Sequence, residues 1–209
     1  MTGGWLLLLA YLLGSIPTAL WVSKLFFGID IRDHGSRNMG ASNTFRVLGP
    51  VYGVVVLVID LLKGVAAVQL VRYLPETAWM ASEPALWQLL LGLTAVAGHV
   101  FPLFAGFRGG KGVATLFGVV VAMQPWIALL SVLAFVLVVA LTRYISLGSL
   151  TGVAVFTACV WFAWQEADPL LKWFSAGAAL LVVWLHRGNI RRLWKGTENK
   201  FSFRKRPRD

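Results

Sequence analysis

The segment 34–46 concentrates groups that can bind an anion. It reads His-Gly-Ser-Arg-Asn-Met-Gly-Ala-Ser-Asn-Thr-Phe-Arg and lies between two long apolar stretches. Glycines let backbone N–H groups approach an anion, hydroxyl and amide groups donate hydrogen bonds, and arginine binds phosphate through two parallel bonds. A turn followed by a helix cap at Ser42 or Asn43 would explain the same composition. The segment therefore predicts a phosphate-binding loop, with a capped helix start as the alternative.

A second segment, 106–115, has a similar character. It reads Gly-Phe-Arg-Gly-Gly-Lys-Gly-Val-Ala-Thr and leads directly into an apolar stretch. At a helix start, the first N–H groups and the positive end of the helix dipole favour a phosphate, and Lys111 adds a positive charge. The Walker A motif is not matched, because Gly112 stands where that motif has Ser or Thr. The segment therefore predicts an anion site that is not a Walker-type nucleotide site.

A third polar segment, 186–200, begins where the last apolar stretch ends. His186 and Asn189 are three residues apart, so both can lie on one face of a helix at the membrane edge. Arg191, Arg192 and the basic run 204–208 instead favour an interfacial helix, anchored by Trp194, beside lipid head groups. This segment therefore predicts either part of a functional site, formed by His186 and Asn189, or a basic helix that anchors the chain at the membrane surface.

Three ionisable residues interrupt the apolar stretches. Asp60 and Lys63 are three residues apart, and such a pair can partly neutralise itself within a membrane helix. The pair predicts an internal ion pair that joins helices, with a proton relay or the wall of a polar site as the alternative. His99 is expected to be a hydrogen-bonded packing residue near the second segment. His34, His99 and His186 lie on separate segments, so no metal site is predicted.

The segments together resemble one family, the bacterial acyl-phosphate:glycerol-3-phosphate acyltransferases, or PlsY family. The resemblance rests on Gly-Ser-x-Asn-x-Gly-Ala-Ser-Asn-x-x-Arg (35–46), Gly-His-x-Phe-Pro (98–102), Gly-Gly-Lys-Gly-Val-Ala-Thr (109–115), His-Arg-x-Asn-Ile-x-Arg-Leu (186–193) with Gly-x-Glu-x-Lys (196–200), Gly-Ser-Ile-Pro (14–17) and Asp-Leu-Leu-Lys-Gly (60–64). It extends from about residue 10 to residue 201, and the order and spacing of the motifs make it specific. Arg37 departs from the family pattern, in which Gly is common at this position.

The resemblance implies transfer of a fatty acyl group from acyl-phosphate to the 1-hydroxyl of sn-glycerol 3-phosphate, giving lysophosphatidic acid and inorganic phosphate. The catalytic candidates are Ser36, Arg46, Lys111, His186 and Asn189. The candidates for phosphate binding are Gly35, Asn38, Gly40, Ser42, Asn43, Arg46, Gly109, Gly110, Lys111 and Gly112. Glu198 matches a position expected to be structural, paired with a loop arginine. The implied partners are the two substrates and membrane lipids, without a cofactor.

Two other classes of function use similar residues. A transporter for a small phosphate ester would also place Arg, Lys and helix N-termini along its path, but the three segments differ from one another and show no inverted repeat. A lipid-binding scaffold that uses only the basic tail would leave the first two segments unexplained. Acyl transfer is therefore the favoured interpretation.

The elements that must position these residues are membrane helices. Hydrophobic residues make up 58% of the 209 residues and charged residues 13%, whereas soluble domains have about 45–50% and about 25%. Long continuous apolar stretches predict a polytopic α-helical membrane protein. The net charge of +10 does not indicate nucleic-acid binding, because nine of the 19 Lys and Arg residues lie within 187–208, after the last apolar stretch.

Seven apolar segments are candidate transmembrane helices of a single domain, 1–201, which a basic tail, 202–209, follows. The segments are 4–27, 50–73, 85–105, 112–123, 126–142, 145–164 and 170–186. The connections 28–49 and 106–111 carry basic residues, whereas 74–84 carries two glutamates and no basic residue. The positive-inside rule therefore places the first two connections and the tail in the cytoplasm and the N-terminus outside.

The number of spans follows from this orientation. Because connection 106–111 and the tail lie on the same side, the number of crossings between them must be even. Four segments satisfy this condition and give seven spans in all; five spans, with two segments not crossing fully, is the alternative. The family resemblance implies the bacterial cytoplasmic (inner) membrane with the active site facing the cytoplasm. The sequence specifies neither acyl-chain preference, nor oligomeric state, nor which loop binds which phosphate.

Overall fold

The computed structural model describes residues 3–74, 83–163 and 168–201, and these contain α-helices and short 3₁₀ and π-helical turns without a β-strand. The predicted all-α membrane fold is confirmed, and each of the seven apolar segments is helical over most of its length. The described residues divide into two compact units, with the boundary between Met123 and Gln124. The tail 202–209 and most of the connection 74–84 lie outside the described residues.

The first unit contains six α-helices among its described residues. They are α1 (Gly4–Gly14), α2 (Thr18–Phe27), α3 (Ala41–Leu48), α4 (Pro50–Gln69), α5 (Pro84–Val100) and α6 (Val113–Met123). α1 and α2 form one apolar segment that breaks just before Thr18, where Pro17 cannot donate the backbone hydrogen bond that would continue the helix. Proline also starts α4 and α5, a position at which the missing N–H is not needed.

Glycines bring the helices of the first unit into backbone contact. A Cβ atom at Gly64 of α4 would overlap the carbonyl oxygen of Thr115, and one at Gly118 of α6 would overlap that of Leu61. α1 approaches α5 in the same way through Gly14. Small residues permit this close approach between membrane helices. The contact between α4 and α6 sets the position of the first turn of α6, which follows the second motif segment.

The second unit contains four α-helices among its described residues. They are α7 (Pro125–Thr142), α8 (Ile145–Ala158), α9 (Pro169–Leu185) and α10 (Arg187–Trp194). α8 continues into a π-helical turn, Cys159–Ala163. α9 and α10 are bent by 61° relative to each other. His186 lies at this bend, where it is both the C-cap residue of α9 and the N-cap residue of α10.

Five helical segments of the described residues are long and apolar enough to cross a membrane. They are Gly4–Phe27, Pro50–Tyr73, Pro84–Ala105, Pro125–Thr142 and Ile145–Ala163. The bent pair α9 and α10 could form a sixth span. α6 has 11 residues and is therefore only about 16 Å long, about half the thickness of the hydrocarbon core. The number of seven spans and the orientation of the termini stay predictions.

Candidate active site

The first motif loop is shaped by the side chain of Asn43. Its Oδ1 atom accepts a hydrogen bond from the backbone N–H of Ser36 at 2.8 Å, and its Nδ2 atom donates to the carbonyls of Ile31 (3.2 Å) and His34 (3.0 Å). Asn43 is 1% exposed. This amide thus joins two turns of the loop to the start of α3, and its polar atoms serve the loop itself.

The alternative interpretation of this segment, a helix cap at Ser42 or Asn43, is wrong. α3 begins at Ala41, and Gly40 is its N-cap residue. The carbonyl of Gly40 accepts hydrogen bonds from the backbone N–H groups of Asn43 and Thr44. The helix starts earlier because the Asn43 side chain points back into the loop instead of capping the helix.

Two residues of the same loop adopt the left-handed backbone conformation. Gly35 has φ +62° and Arg37 has φ +60°. A Cβ atom at Gly35 would overlap the Oδ1 atom of Asn43, so glycine is required there by contact as well as by conformation. Arg37 occupies a backbone conformation that favours glycine. This is a physical reason for the glycine that is common at this position in the family that the motifs resemble. Ser36 lies between these two residues and is exposed.

An ion pair that sequence reasoning did not identify ties the first loop to the second. Asp30 accepts hydrogen bonds from the Nε and Nη2 atoms of Arg32 at 2.9 and 2.6 Å, and this guanidinium lowers the pKa of Asp30 to about 2. The Nη1 atom of Arg32 donates to the carbonyl of Ala105 at 3.1 Å. Ala105 immediately precedes the second segment. The first two motif loops are therefore held against each other within the first unit.

The second motif loop packs against His99 at the end of α5. The backbone N–H of Gly110 donates to the carbonyl of His99 at 3.1 Å. A Cβ atom at Gly109 would overlap that carbonyl, and one at Gly110 would overlap the His99 ring and lie 2.7 Å from the carbonyl oxygen of Met39. Gly110 is buried and Lys111 is half-buried. The glycines of this loop are required because backbone and ring approach so closely.

A buried polar cluster lies behind the second loop. We use the name buried cluster for Thr18, Asp60, Lys63, His99 and Thr115. Asp60 forms the predicted ion pair with Lys63 at 2.8 Å and accepts a hydrogen bond from Thr18 at 3.0 Å. The His99 Nδ1 atom lies 3.3 Å from the Thr115 hydroxyl and 3.7 Å from Asp60. The predictions of an internal ion pair and of a hydrogen-bonded His99 are both confirmed.

In the second unit, the ring of His186 is oriented by its own helix. Its Nδ1 atom lies 2.8 Å from the carbonyl oxygen of Val182. Because a carbonyl can only accept, Nδ1 carries the proton in this contact. His186 is 3% exposed. The contact fixes the direction of the ring at the bend between α9 and α10.

Glu198 organises the third motif segment. Its Oε1 atom accepts hydrogen bonds from Asn189 at 2.6 Å and from Ser146 at 2.9 Å, and its Oε2 atom accepts from Arg192 at 2.7 Å. Burial raises the pKa of Glu198, but these three hydrogen bonds outweigh burial, so the pKa lies below its ordinary value. The arginine partner of Glu198 lies on α10 and not in a loop. Arg192, predicted to lie in an interfacial helix beside lipid head groups, forms an ion pair with Glu198.

The structure places the predicted catalytic residues in two groups. Ser36, Arg46 and Lys111 belong to the first unit, and His186 and Asn189 belong to the second. In the first unit, the two adjacent loops present backbone N–H groups, a hydroxyl and positive charges, a combination suited to phosphate. Among the described residues, no group of three or more His, Cys, Asp or Glu side chains is arranged to hold a metal ion.

The fold defines a polytopic helical membrane protein whose first unit carries two adjacent glycine-rich, basic loops. The family model described as glycerol-3-phosphate acyltransferase matches residues 4–196. The chain therefore belongs to the glycerol-3-phosphate acyltransferase family, and it is a multi-pass membrane acyltransferase.

Individual relatives extend this similarity over nearly the whole chain. The glycerol-3-phosphate acyltransferase of Listeria monocytogenes serotype 4a (strain HCC23) is 43% identical over 196 residues, which cover 94% of this chain and 95% of the relative. That of Chlorobaculum tepidum is 39% identical over 222 residues, covering 95% and 96%.

Two crystal structures of PlsY (YgiH), an integral membrane glycerol 3-phosphate acyltransferase, have the same fold. Both are 37% identical to this chain, and the match covers 96% of each chain. The glycerol 3-phosphate form gives a TM-score of 0.84, and the lysophosphatidic acid form gives 0.81.

Proposed function

We propose that this protein transfers a fatty acyl group from acyl-phosphate to the 1-hydroxyl of sn-glycerol 3-phosphate. The hydroxyl oxygen forms a new bond to the acyl carbonyl carbon, and the bond between that carbon and the phosphate oxygen breaks. The products are lysophosphatidic acid and inorganic phosphate. The relatives' name supports the acceptor, and the glycerol 3-phosphate and lysophosphatidic acid forms of PlsY support acceptor and product.

The observation that carries this proposal is the adjacency of the first two motif loops. The Arg32–Ala105 hydrogen bond and the close approach of Gly110 to Met39 hold them together. Both substrates bear phosphate, and two neighbouring loops rich in N–H donors and positive charges suit two phosphates. We assign phosphate binding to Arg46 and Lys111, aided by the other candidates of these loops.

Other candidates act by orientation or by shaping the loop. We assign hydrogen bonding to substrate to Ser36, His186 and Asn189. Asn43 shapes the first loop, because its amide atoms already bond the loop backbone. Held in this way, the groups accelerate the reaction by positioning the substrates and stabilising the developing oxyanion.

The donor phosphate itself serves as the base in this proposal. An acyl-phosphate is a mixed anhydride with a good leaving group, and its phosphate is anionic and close to the carbonyl. A phosphate oxygen takes the proton of the attacking hydroxyl, and the phosphate leaves with it. No side chain is then required as an obligatory general base, and His186 orients a substrate.

The proposed setting is the bacterial cytoplasmic membrane, with the loops on the cytoplasmic side. Glycerol 3-phosphate is a charged, water-soluble molecule made in the cytoplasm, so its site must open there. A cysteine at position 36, with Cys159 replaced, should react with a membrane-impermeant thiol reagent only from the cytoplasmic side. Labelling from the outside would contradict this orientation.

The decisive experiment is an assay of the purified protein in detergent or vesicles. Acyl-phosphate and labelled glycerol 3-phosphate should give labelled lysophosphatidic acid, whereas acyl-CoA or acyl carrier protein as donor should not. Product from acyl-CoA but not from acyl-phosphate would contradict the proposed donor. Uptake of glycerol 3-phosphate into vesicles without product would favour the transporter.

A further inference from the structure

His99 contacts the second loop on both sides of Lys111. On the N-terminal side, its carbonyl accepts the hydrogen bond from Gly110, and its ring occupies the space that a Cβ atom of Gly110 would need. On the C-terminal side, its Nδ1 atom faces the hydroxyl of Thr115, in the first turn of α6. A short stretch of chain held at both ends has few conformations, so these contacts restrict where Lys111 can lie.

The ring of His99 is itself held by the rest of the buried cluster. Asp60 lies 3.7 Å from its Nδ1 atom, and Lys63 holds Asp60 at 2.8 Å. The Lys63 ammonium also donates to the carbonyl of Ile16 at 3.0 Å, at the break between α1 and α2. The cluster therefore links α2, α4, α5 and α6. Asp60 and Thr115 are 1% and 0% exposed, so solvent does not loosen these contacts.

Stability alone is a weak reason for this arrangement. Buried ion pairs often stabilise a fold no better than apolar residues of similar size. A hydrogen bond and an ionic contact to one buried ring do restrict its geometry, and a displacement of 1 Å at a binding group can reduce catalysis about 100-fold.

We infer that His99 is a positioning residue of the acyl transfer reaction, and that Thr115 and Asp60 act through it to hold the loop 109–112 in its phosphate-binding conformation. This inference rests on the proposed function, in which Lys111 of that loop binds a substrate phosphate. The buried cluster does not touch substrate. It acts on the Michaelis constant, KM, for the phosphate substrate that the loop binds.

The test compares variants of nearly equal size. Thr115→Val removes the hydroxyl that faces His99 and keeps the shape, and Thr115→Ser restores a hydroxyl. Thr94→Val is the matched control, because Thr94 lies on α5 and its hydroxyl donates within its own helix to Leu90. For each variant, kcat and both KM values are measured together with the thermal unfolding midpoint in detergent.

The reference substrate is the one whose KM rises in Lys111→Ala. Thr115→Val should raise this KM about 10-fold, below the about 100-fold effect of a 1 Å displacement, with a smaller change in kcat. Thr115→Ser should return it toward the wild-type value, and Thr94→Val should leave it unchanged. An unchanged KM in Thr115→Val, or a lower unfolding midpoint without a KM effect, would overturn the inference.

A second pair of variants tests the contact between His99 and Gly110. Gly110→Ala places a Cβ atom against the His99 ring and should raise the same KM. His99→Asn keeps a nitrogen near the Nδ1 position and removes the far side of the ring. In the double variant His99→Asn with Gly110→Ala, the smaller side chain at position 99 should bring the KM part of the way back toward the wild-type value. The recovery is incomplete because the new Cβ atom still lies against the carbonyl oxygen of Met39. Strictly additive losses in the double variant would contradict the inference.

Failure of the proposed function has a different signature. If Lys111→Ala changes neither KM, the loop does not bind substrate phosphate, and both the proposed function of the loop and this inference fail. If Lys111→Ala raises a KM that Thr115→Val and His99→Asn do not change, only the inference fails.

Discussion

One carboxylate organises polar side chains in each of the two units, the buried Asp60 in the first and the half-buried Glu198 in the second. Asp60 lies within a membrane helix, and its partner Lys63 is also buried. Glu198 follows the last helix, and its partner Arg192 has 41% of its side chain exposed. The charge of Asp60 is thus balanced inside the protein, whereas solvent reaches the partner of Glu198.

The two carboxylates also differ in how they reach the predicted catalytic residues. Glu198 accepts a hydrogen bond directly from Asn189. Asp60 reaches the loop of Lys111 through His99 and Thr115. The comparison indicates that loss of Asp60 acts on both folding and the loop of Lys111, whereas loss of Glu198 acts mainly on the orientation of Asn189, a predicted catalytic residue.

Removal of the Asp60 carboxylate should have the largest effect. Asp60→Ala leaves the Lys63 ammonium buried without its counter-ion, which should lower the free energy of unfolding by about 3–5 kcal/mol. Glu198→Ala should cost less, since Arg192 can turn to solvent. Denaturant or thermal unfolding in detergent measures both. Asp60→Leu combined with Lys63→Met should recover most of the stability, and equal losses in the two alanine variants would remove the distinction between the carboxylates.

Lys111→Ala tests the phosphate site that the first unit is expected to hold. A charged hydrogen bond contributes about 1.5–3 kcal/mol, so kcat/KM should fall by about 10- to 150-fold, with a higher KM for at least one phosphate substrate. Lys111→Arg should recover only part of the activity, because a planar guanidinium does not replace a compact ammonium. Near-normal kinetics in Lys111→Ala would exclude this loop as a substrate site.

His186 tests whether the second unit orients substrate or supplies a base. His186→Asn and His186→Gln retain hydrogen bonding but cannot titrate. An orienting role predicts that single-turnover rates stay within about 10-fold of wild type, whereas loss of a general base costs about 10²–10⁴-fold. A larger loss that added imidazole repairs, in a folded variant with normal substrate affinity, would make His186 the base.

Glu198→Gln should lower kcat by about 5-fold, the equivalent of about 1 kcal/mol, because a neutral amide holds Asn189 less firmly than a carboxylate.

The lowered pKa of Glu198 also predicts a pH effect on stability. The contribution of ionised Glu198 to the free energy of unfolding is complete above its ordinary pKa of 4.5. It is lost as the pH falls through the lower pKa that Glu198 has in the folded protein.

The measurement for this effect is the unfolding midpoint at neutral pH and below 4.5. The wild type should lose more stability on acidification than Glu198→Gln does. Parallel curves for the two proteins would show that Glu198 does not titrate in this way.

Arg37→Gly should have the smallest effect, a stabilisation of about 0.5–1 kcal/mol, because glycine adopts the left-handed conformation without the steric penalty of a Cβ atom. Arg37→Ala removes the same charge but keeps the Cβ atom, so it should give no gain. Equal unfolding midpoints for the two variants would show that the backbone conformation at this position carries no strain.

Several features of this protein could be read from the sequence. The seven apolar segments became helices because long apolar runs satisfy their backbone hydrogen bonds internally in a membrane. The Asp60–Lys63 pair followed from a spacing of three residues, which places both side chains on one helix face. The motif loops and the family also followed from local order and spacing. These are all properties of short stretches of chain.

Other features depend on side-chain contacts that residue spacing does not specify. Asn43 acts on the backbone of its own loop, Arg192 binds Glu198, and His99 lies between Gly110 and Thr115. The sequence names these residues but not their partners, because helical periodicity determines a face and not the neighbour that packs against it. Only the tertiary structure decides these partners. For His99, the glycine contacts set how closely α4 and α6 approach and where the loop before α6 must lie.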